Sequence, residues 1–356
     1  MAPLEYALTP IVIISIACSV LLTPVVRKLA VRKNVIDQPK GGRKIHVQPT
    51  ALWGGLATGI TILVVLALLL PYAQGTELRA GQVIGFMIGI AILIAGGLLD
   101  DAYDLPPRLQ ILAPILASIA IVVSGSGIVQ VTNPFGPGAF SLVWTQWNIG
   151  QILTISFPAD LITILWLLVV TYAMKFLDGL DGLVAGMTAI GGALIAALAG
   201  SQAYFQPLVA VMALAIAGAH LGFLPYNRQG SMFLGEAGST IAGFSLGVLA
   251  VISGAKLATA AAALGVPLVD IGLVVIGRLV RGVSPFRGDA THLHFRLLQA
   301  GMSQRNAVRA LWGIALVFGL LALTLQTQGK IFLLFGLVFL TLTISFIAYL
   351  RANRKV

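Results

Sequence analysis

Residues 331–350 read IFLLFGLVFLTLTISFIAYL, twenty consecutive positions without a charged side chain. As a helix, such a run is long enough to cross the roughly 30 Å of bilayer hydrocarbon. The run through Leu56–Leu70 has the same character, and apolar stretches recur to both ends of the chain. The pattern predicts helices near 7–26, 53–71, 82–99, 109–127, 159–175, 183–200, 206–224, 237–253, 257–277, 307–325 and 331–350. Composition agrees. The chain has 356 residues, 58% hydrophobic and only 10% charged, where a soluble domain carries about a quarter charged residues. The stretches between runs are too short for a soluble domain, and no internal repeat is visible. The expected fold is all-α: a polytopic membrane bundle of about eleven transmembrane helices, forming a single domain over 1–356.

Charge sets the orientation. The first apolar run has no basic segment before it; Arg27 and Lys28 follow it. That order does not suit a signal peptide and suits a first helix with its N-terminus outside. Alternating sides from there, nineteen of the 22 Lys and Arg fall on the cytoplasmic side, with Arg79, Lys256 and Lys330 outside. The C-terminus is then cytoplasmic. The net charge of +10 is thus read as a topology signal rather than a nucleic-acid footprint. Cys18 is the only cysteine, so no intramolecular disulfide is available. The uncharged segment 124–158, rich in Gly, Pro and Trp, is expected outside, against the membrane interface.

Most of the acids follow the same side. Asp37, Asp100, Asp101, Asp104, Asp178, Asp181, Glu236 and Asp289 fall at inner loops or inner helix ends; Asp270 is expected inside the ninth span. Carboxylates beside a bilayer are costly, so clusters of them point to function. Asp100–Asp101 close a helix whose C-terminal dipole is already negative, which calls for a cation. Asp178-Gly179-Leu180-Asp181-Gly182 repeats the device, with two acids one helical turn apart. Gly235-Glu236-Ala237-Gly238-Ser239 opens a helix, where free N–H groups suit a phosphate. After the ninth span come Arg278, Arg281, Arg287, Asp289, His292, His294 and Arg296. Two His at i, i+2 without Cys make a poor zinc set; a basic, His-bearing loop suits a polyanion better. Acids for Mg²⁺ and bases for phosphates are the parts of phosphoryl transfer at a membrane surface.

Five motifs, in order, carry a resemblance: Asp37-Gln-Pro to Arg43-Lys44-Ile45-His46 with Gly54-Gly55; Leu99-Asp100-Asp101; Phe176-Leu-Asp-Gly-Leu-Asp-Gly-Leu183; Phe233-Leu-Gly-Glu-Ala-Gly-Ser239; and Asp289-Ala-Thr-His-Leu-His-Phe-Arg-Leu-Leu298. Almost end to end, the chain resembles the polyprenyl-phosphate N-acetylhexosamine-1-phosphate transferases. The resemblance implies transfer of a sugar-1-phosphate from a UDP-sugar to a polyprenyl (undecaprenyl) phosphate, with release of UMP. This would be the first membrane step of a cell-envelope glycan, at a cytoplasm-facing site in the plasma membrane. The last motif resembles the branch that uses UDP-N-acetylglucosamine. The muramoyl-pentapeptide branch of the same family, a catalytically impaired relative and, in another class, a membrane transporter built around Asp270 are the alternatives.

By the same resemblance, Asp100, Asp101, Asp178 and Asp181 are catalytic residues. Lys44, His46, Asn227, His292, His294 and Arg296 bind substrates, and Asp178 with Glu236 holds Mg²⁺. Partners are the UDP-sugar, the lipid phosphate and the membrane, with no nucleic acid and a homodimer left open. Four positions depart from the family pattern. Lys175 stands for a usual Asn and Glu236 for a usual Asp, the two positions that hold Mg²⁺. Gln110 lies near a usual lysine, and Phe295 replaces a usual histidine. The first two changes are expected to be coupled: the Lys175 ammonium pairs with Glu236 and takes over part of the metal's role.

Overall fold

In the computed structural model, residues 2–39, 48–73, 77–133, 136, 138–149, 153–228, 230–254, 260–262, 264–283 and 292–353 are described. Apolar runs become helices because, in lipid, every backbone N–H and C=O must be satisfied within the segment. The helices are α1 Ala2–Arg32, α2 Gly54–Leu69, α3 Ala80–Tyr103, α4 Pro107–Gln110, α5 Leu112–Val123, α6 Ala159–Leu177, α7 Leu183–Ala199, α8 Pro207–Arg228, α9 Gly235–Ile252, α10 Gly265–Val280, α11 Leu293–Gln299, α12 Gln304–Thr324 and α13 Thr327–Asn353. Eight described helices are long and apolar enough to cross a membrane; 107–123 and 183–199 are shorter apolar helices. The protein is therefore a polytopic helical membrane protein. Each apolar run of the sequence contributes to one of these helices.

The core is centred on α9, whose residues 237–251 are all buried. It packs against α2, α3, α6, α7 and α8. Helix association in lipid depends on close packing of small residues rather than on hydrophobic transfer, and the contacts show this. A Cβ at Gly97 of α3 would fall on the backbone of Ala237 in α9, so these helices meet with no side chain between them. Between α1 and α8 the Ser19 hydroxyl donates to the Ala219 carbonyl at 2.6 Å.

The bundle is not purely helical. Antiparallel hairpins β3 Gln130–Thr132 with β4 Ala139–Ser141, and β5 Val143–Ile149 with β6 Leu153–Pro158, fill most of the uncharged segment after α5. The second hairpin pairs Trp147 with Ile155 and carries an irregularity between Val143 and Thr145. β-Branched and aromatic residues there suit a pleated surface. Trp144 and Trp147 are exposed, as amphipathic rings at a membrane interface are.

A shorter ladder bears on function. β1 Ile36–Asp37 pairs with β2 Thr50–Ala51 and so brackets the segment that carries Lys44 and His46, which lie outside the described residues. Phe233 N–H donates to the Ala51 carbonyl at 2.9 Å, and Gly54 N–H to that of Phe233 at 3.0 Å. The base of that segment is thereby tied to the approach to α9.

Candidate active site

Four helix ends meet at one end of the bundle: the C-termini of α3 and α6 and the N-termini of α9 and α11. The α3–α9 junction is set by Asp101. Its Oδ1 accepts the Glu236 N–H at 2.9 Å, placing a carboxylate at the positive end of α9. Gly235 has φ +71°, and a side chain there would strike the Asp101 carboxylate. Glycine at this position is thus required on two counts. The other oxygen of Asp101 is buried with no hydrogen-bond partner among the described residues.

Asp100, one residue earlier, accepts the Leu105 N–H at 3.1 Å and a side-chain hydrogen bond from Gln110. The Gln110 amide also donates to the Leu105 carbonyl at 2.8 Å. The Gln110 carbonyl oxygen accepts from Lys175 Nζ at 2.9 Å. Lys175, in the last turn of α6, lies 2.6 Å from Glu236 Oε1, and both side chains are 14% exposed. The expected Lys175–Glu236 pair is therefore present, and Gln110 joins it to Asp100. Three of the four departures from the family pattern are in contact.

The 178–182 segment is a turn rather than a helical continuation. Asp178 is partly buried. Burial first, then the carboxylates of Asp101, Asp181 and Glu236, push its carboxyl up to about 7. Asp178 and Asp181 are thus close enough to repel, and Asp101 and Glu236 act on the same group. Asn227 holds this turn: its Oδ1 accepts the Gly182 N–H at 2.8 Å, and its Nδ2 donates to the Met232 carbonyl at 3.1 Å. Its amide, expected to bind substrate, is committed to backbone and is 3% exposed.

The histidine segment packs onto this turn. A Cβ at Gly179 would fall on His294 Nε2, so this glycine lets the imidazole approach the chain. Phe176, His292 and His294 form a row, with centroids 5.9 Å and 5.8 Å apart, and Phe295 lies 4.2 Å beyond. His294 is fully buried, and neither ring nitrogen has a hydrogen-bond partner among the described residues. Burial, the main cause, lowers its pKa to about 4, with His292 adding to the shift and Asp270 opposing it. Arg296 sits one turn further along α11.

Asp270, read from sequence as a mid-span carboxylate, belongs to this site. Its Oδ2 lies 2.8 Å from His292 Nδ1, and its Oδ1 accepts the Leu293 N–H at 2.7 Å. It caps α11 and orients an imidazole, rather than serving the transport pathway that a buried span carboxylate suggests. A sequence signal existed in principle: an acid in a span followed by a His-rich segment. The face it presents required the fold. Phe176, which enters the sequence reading only as part of the Asp178 motif, lies against His292 and belongs to the site as well.

The site opens sideways into a cavity of about 360 Å³ between α3 and α5. Its walls include Leu93, Leu109 and Leu116, and its polar end is formed by Asp100, Gln110 and Glu236. As for Mg²⁺, the implied ligands do not fit a resident divalent ion. Glu236 is engaged by an ammonium. Among the described residues no three His, Cys, Asp or Glu are grouped to hold a metal.

Residues 83–254 match the model of the family described as glycosyl transferase family 4. Over 336 residues the chain is 30% identical to a Bacillus subtilis protein named probable undecaprenyl-phosphate N-acetylglucosaminyl 1-phosphate transferase; the match covers 92% of this chain and 88% of the relative. It is 29% identical to the decaprenyl-phosphate N-acetylglucosaminephosphotransferase of Mycolicibacterium smegmatis, covering 92% and 84%. It is 25% identical to the Escherichia coli undecaprenyl-phosphate alpha-N-acetylglucosaminyl 1-phosphate transferase, covering 79% and 74%.

Proposed function

The chain belongs to glycosyl transferase family 4, and from that premise we propose that it transfers N-acetylglucosamine-1-phosphate from UDP-N-acetylglucosamine to a polyprenyl phosphate, releasing UMP. The observation that carries the reading is the junction of two unlike surfaces. An apolar cavity suited to an isoprenoid ends at Asp100, Gln110 and Glu236, and the histidine segment stands on the other side of the Asp178 turn. A lipid phosphate and a nucleotide sugar can meet only where such surfaces meet.

The bond changes are simple. An oxygen of the lipid phosphate attacks the sugar-bearing phosphorus. The bond from that phosphorus to the bridging oxygen breaks, and UMP leaves with that oxygen and its charge. The lipid phosphate is ionised near pH 7, so it needs positioning and charge relief more than a base. Asp100 and the Asp178 turn shape the cleft. Asp101 acts by holding the start of α9. His292, oriented by Asp270, turns its Nε2 toward the substrate, with neutral His294 and Arg296 beside it on the pyrophosphate and sugar. Lys44 and His46 complete the lipid-phosphate side.

The topology follows the charge asymmetry: eleven spans in the plasma membrane, the N-terminus outside, the cleft on the cytoplasmic side. The nucleotide then arrives from the cytosol and the lipid from the inner leaflet. The test is incubation of purified protein with undecaprenyl phosphate and a panel of UDP-sugars, reading UMP. Release is expected with UDP-N-acetylglucosamine and little with UDP-muramoyl-pentapeptide. The reverse preference would overturn the choice of sugar, and no release with any donor would overturn the reaction.

A further inference from the structure

Lys175 is held from three sides. Nζ lies 2.6 Å from Glu236 Oε1, 2.9 Å from Gln110 Oε1 and 5.3 Å from the centre of the Tyr172 ring one turn back on α6. A lysine that merely tolerates a membrane edge directs its head to water. This one lies among carboxylates, at the polar end of the lateral cavity. An ammonium has three N–H donors. Glu236 and Gln110 account for two, which leaves a third for an oxygen in the cleft.

We propose that the Lys175 ammonium is the resident cation of this site, fixed to α6 and standing where Glu236 would otherwise bind a divalent ion. Three observations converge on this. The ammonium occupies the carboxylate oxygen a metal would need, and a dication brought there would face a like charge. Gln110 ties the same ammonium to Asp100, so its charge is shared between both acidic helix ends. No other grouping of metal-binding side chains exists among the described residues to hold a metal instead. The placement of the charge stands on geometry alone. Its catalytic use, neutralising the phosphoryl group in transit, rests on the phosphotransferase reading.

Two readouts test these parts separately. The first is Mn²⁺ binding to purified protein, followed by electron paramagnetic resonance without substrate. The wild type is expected to bind no tight ion, and the double variant Lys175→Asn with Glu236→Asp to gain one. Wild-type protein that binds Mn²⁺ as tightly as the double variant overturns the proposal. This measurement on the wild type needs no variant to fold. The second is UMP release from UDP-N-acetylglucosamine and undecaprenyl phosphate in chelator. It is expected to persist in the wild type and to be lost in the double variant until Mg²⁺ is added. Wild-type release abolished by chelator and restored by Mg²⁺ overturns the proposal as well. A wild type that binds no Mn²⁺ and releases no UMP under any condition supports the charge placement and rejects the enzymatic reading.

Discussion

Asp270 and His292 are joined by a 2.8 Å contact between carboxylate and Nδ1, which fixes an imidazole of the candidate site to a residue on a neighbouring apolar helix. Both side chains are almost enclosed, at 7% and 8% exposure. The carboxylate selects the tautomer: with Nδ1 bound, Nε2 is the nitrogen that meets a ligand. Replacing Asp270 by Asn keeps the volume and weakens that selection. UMP release is expected to fall at least about tenfold, or ~1.4 kcal/mol of barrier. The KM for the UDP-sugar should rise, while that for the lipid stays put. Equal changes in both would mean that Asp270 only supports the fold.

Asp100 and Asp178 are tested by Asn, which preserves shape and removes charge. Each change should lower turnover by at least ~100-fold, as loss of a strong electrostatic contributor does. Insertion and purification should stay normal. Near-normal turnover in both variants would sink their assignment to the chemistry.

His294 supplies a test in pH. Its folded pKa, about 4, lies below the usual value near 6.5. Between those values the unfolded chain binds a proton that the folded one refuses. Stability is therefore retained above pH 6.5 and lost as pH falls toward 4, at about 1.4 kcal/mol per pH unit for one proton. Thermal unfolding of the detergent-solubilised protein should show a steeper acid slope for wild type than for His294→Asn. Matching slopes would mean that the imidazole is open to protons.

Orientation can be checked by labelling. Met302 is exposed and lies just before Ser303, which caps α12 by accepting the Asn306 N–H, so it can be changed without removing the cap. In a Cys18→Ser background, Met302→Cys should react with a membrane-impermeant thiol reagent only in opened or inverted vesicles. Reaction from outside intact cells would reverse the topology and with it the cytoplasmic cleft.

Hydropathy was sufficient to read the helices because a bilayer demands long uncharged runs, and Ile331–Leu350 could be little else. The hairpins after α5 are not legible in the sequence, because Trp144 and Trp147 also suit a loop lying on the interface; strand pairing is a relation between segments. The acidic helix ends were legible, since adjacent carboxylates such as Asp100 and Asp101 are expensive wherever they stand. Their divisions of labour were not. Asp101 spends an oxygen on the start of α9, and Asn227 spends its whole amide on backbone. Lys175 and Glu236 could be paired from sequence because each was unexpected at its motif position. The link from Lys175 to Gln110 spans 65 residues and needed the packing of α5 against α6, which brings the end of α4 to Lys175.

The contact between Gln110 and Lys175 constrains how this chain can have diverged. In the pattern that the chain resembles, a lysine near the first position and an asparagine at the second would put the same charge on the opposite helix. A lineage moving between the two arrangements one substitution at a time must pass through a site with either two ammonium groups or none. Each intermediate is off by a full charge beside several carboxylates, so the two positions are epistatic and neither can be scored alone. A survey that marks Lys175 as a broken motif would set such a chain aside, whereas one that reads both positions together would keep it.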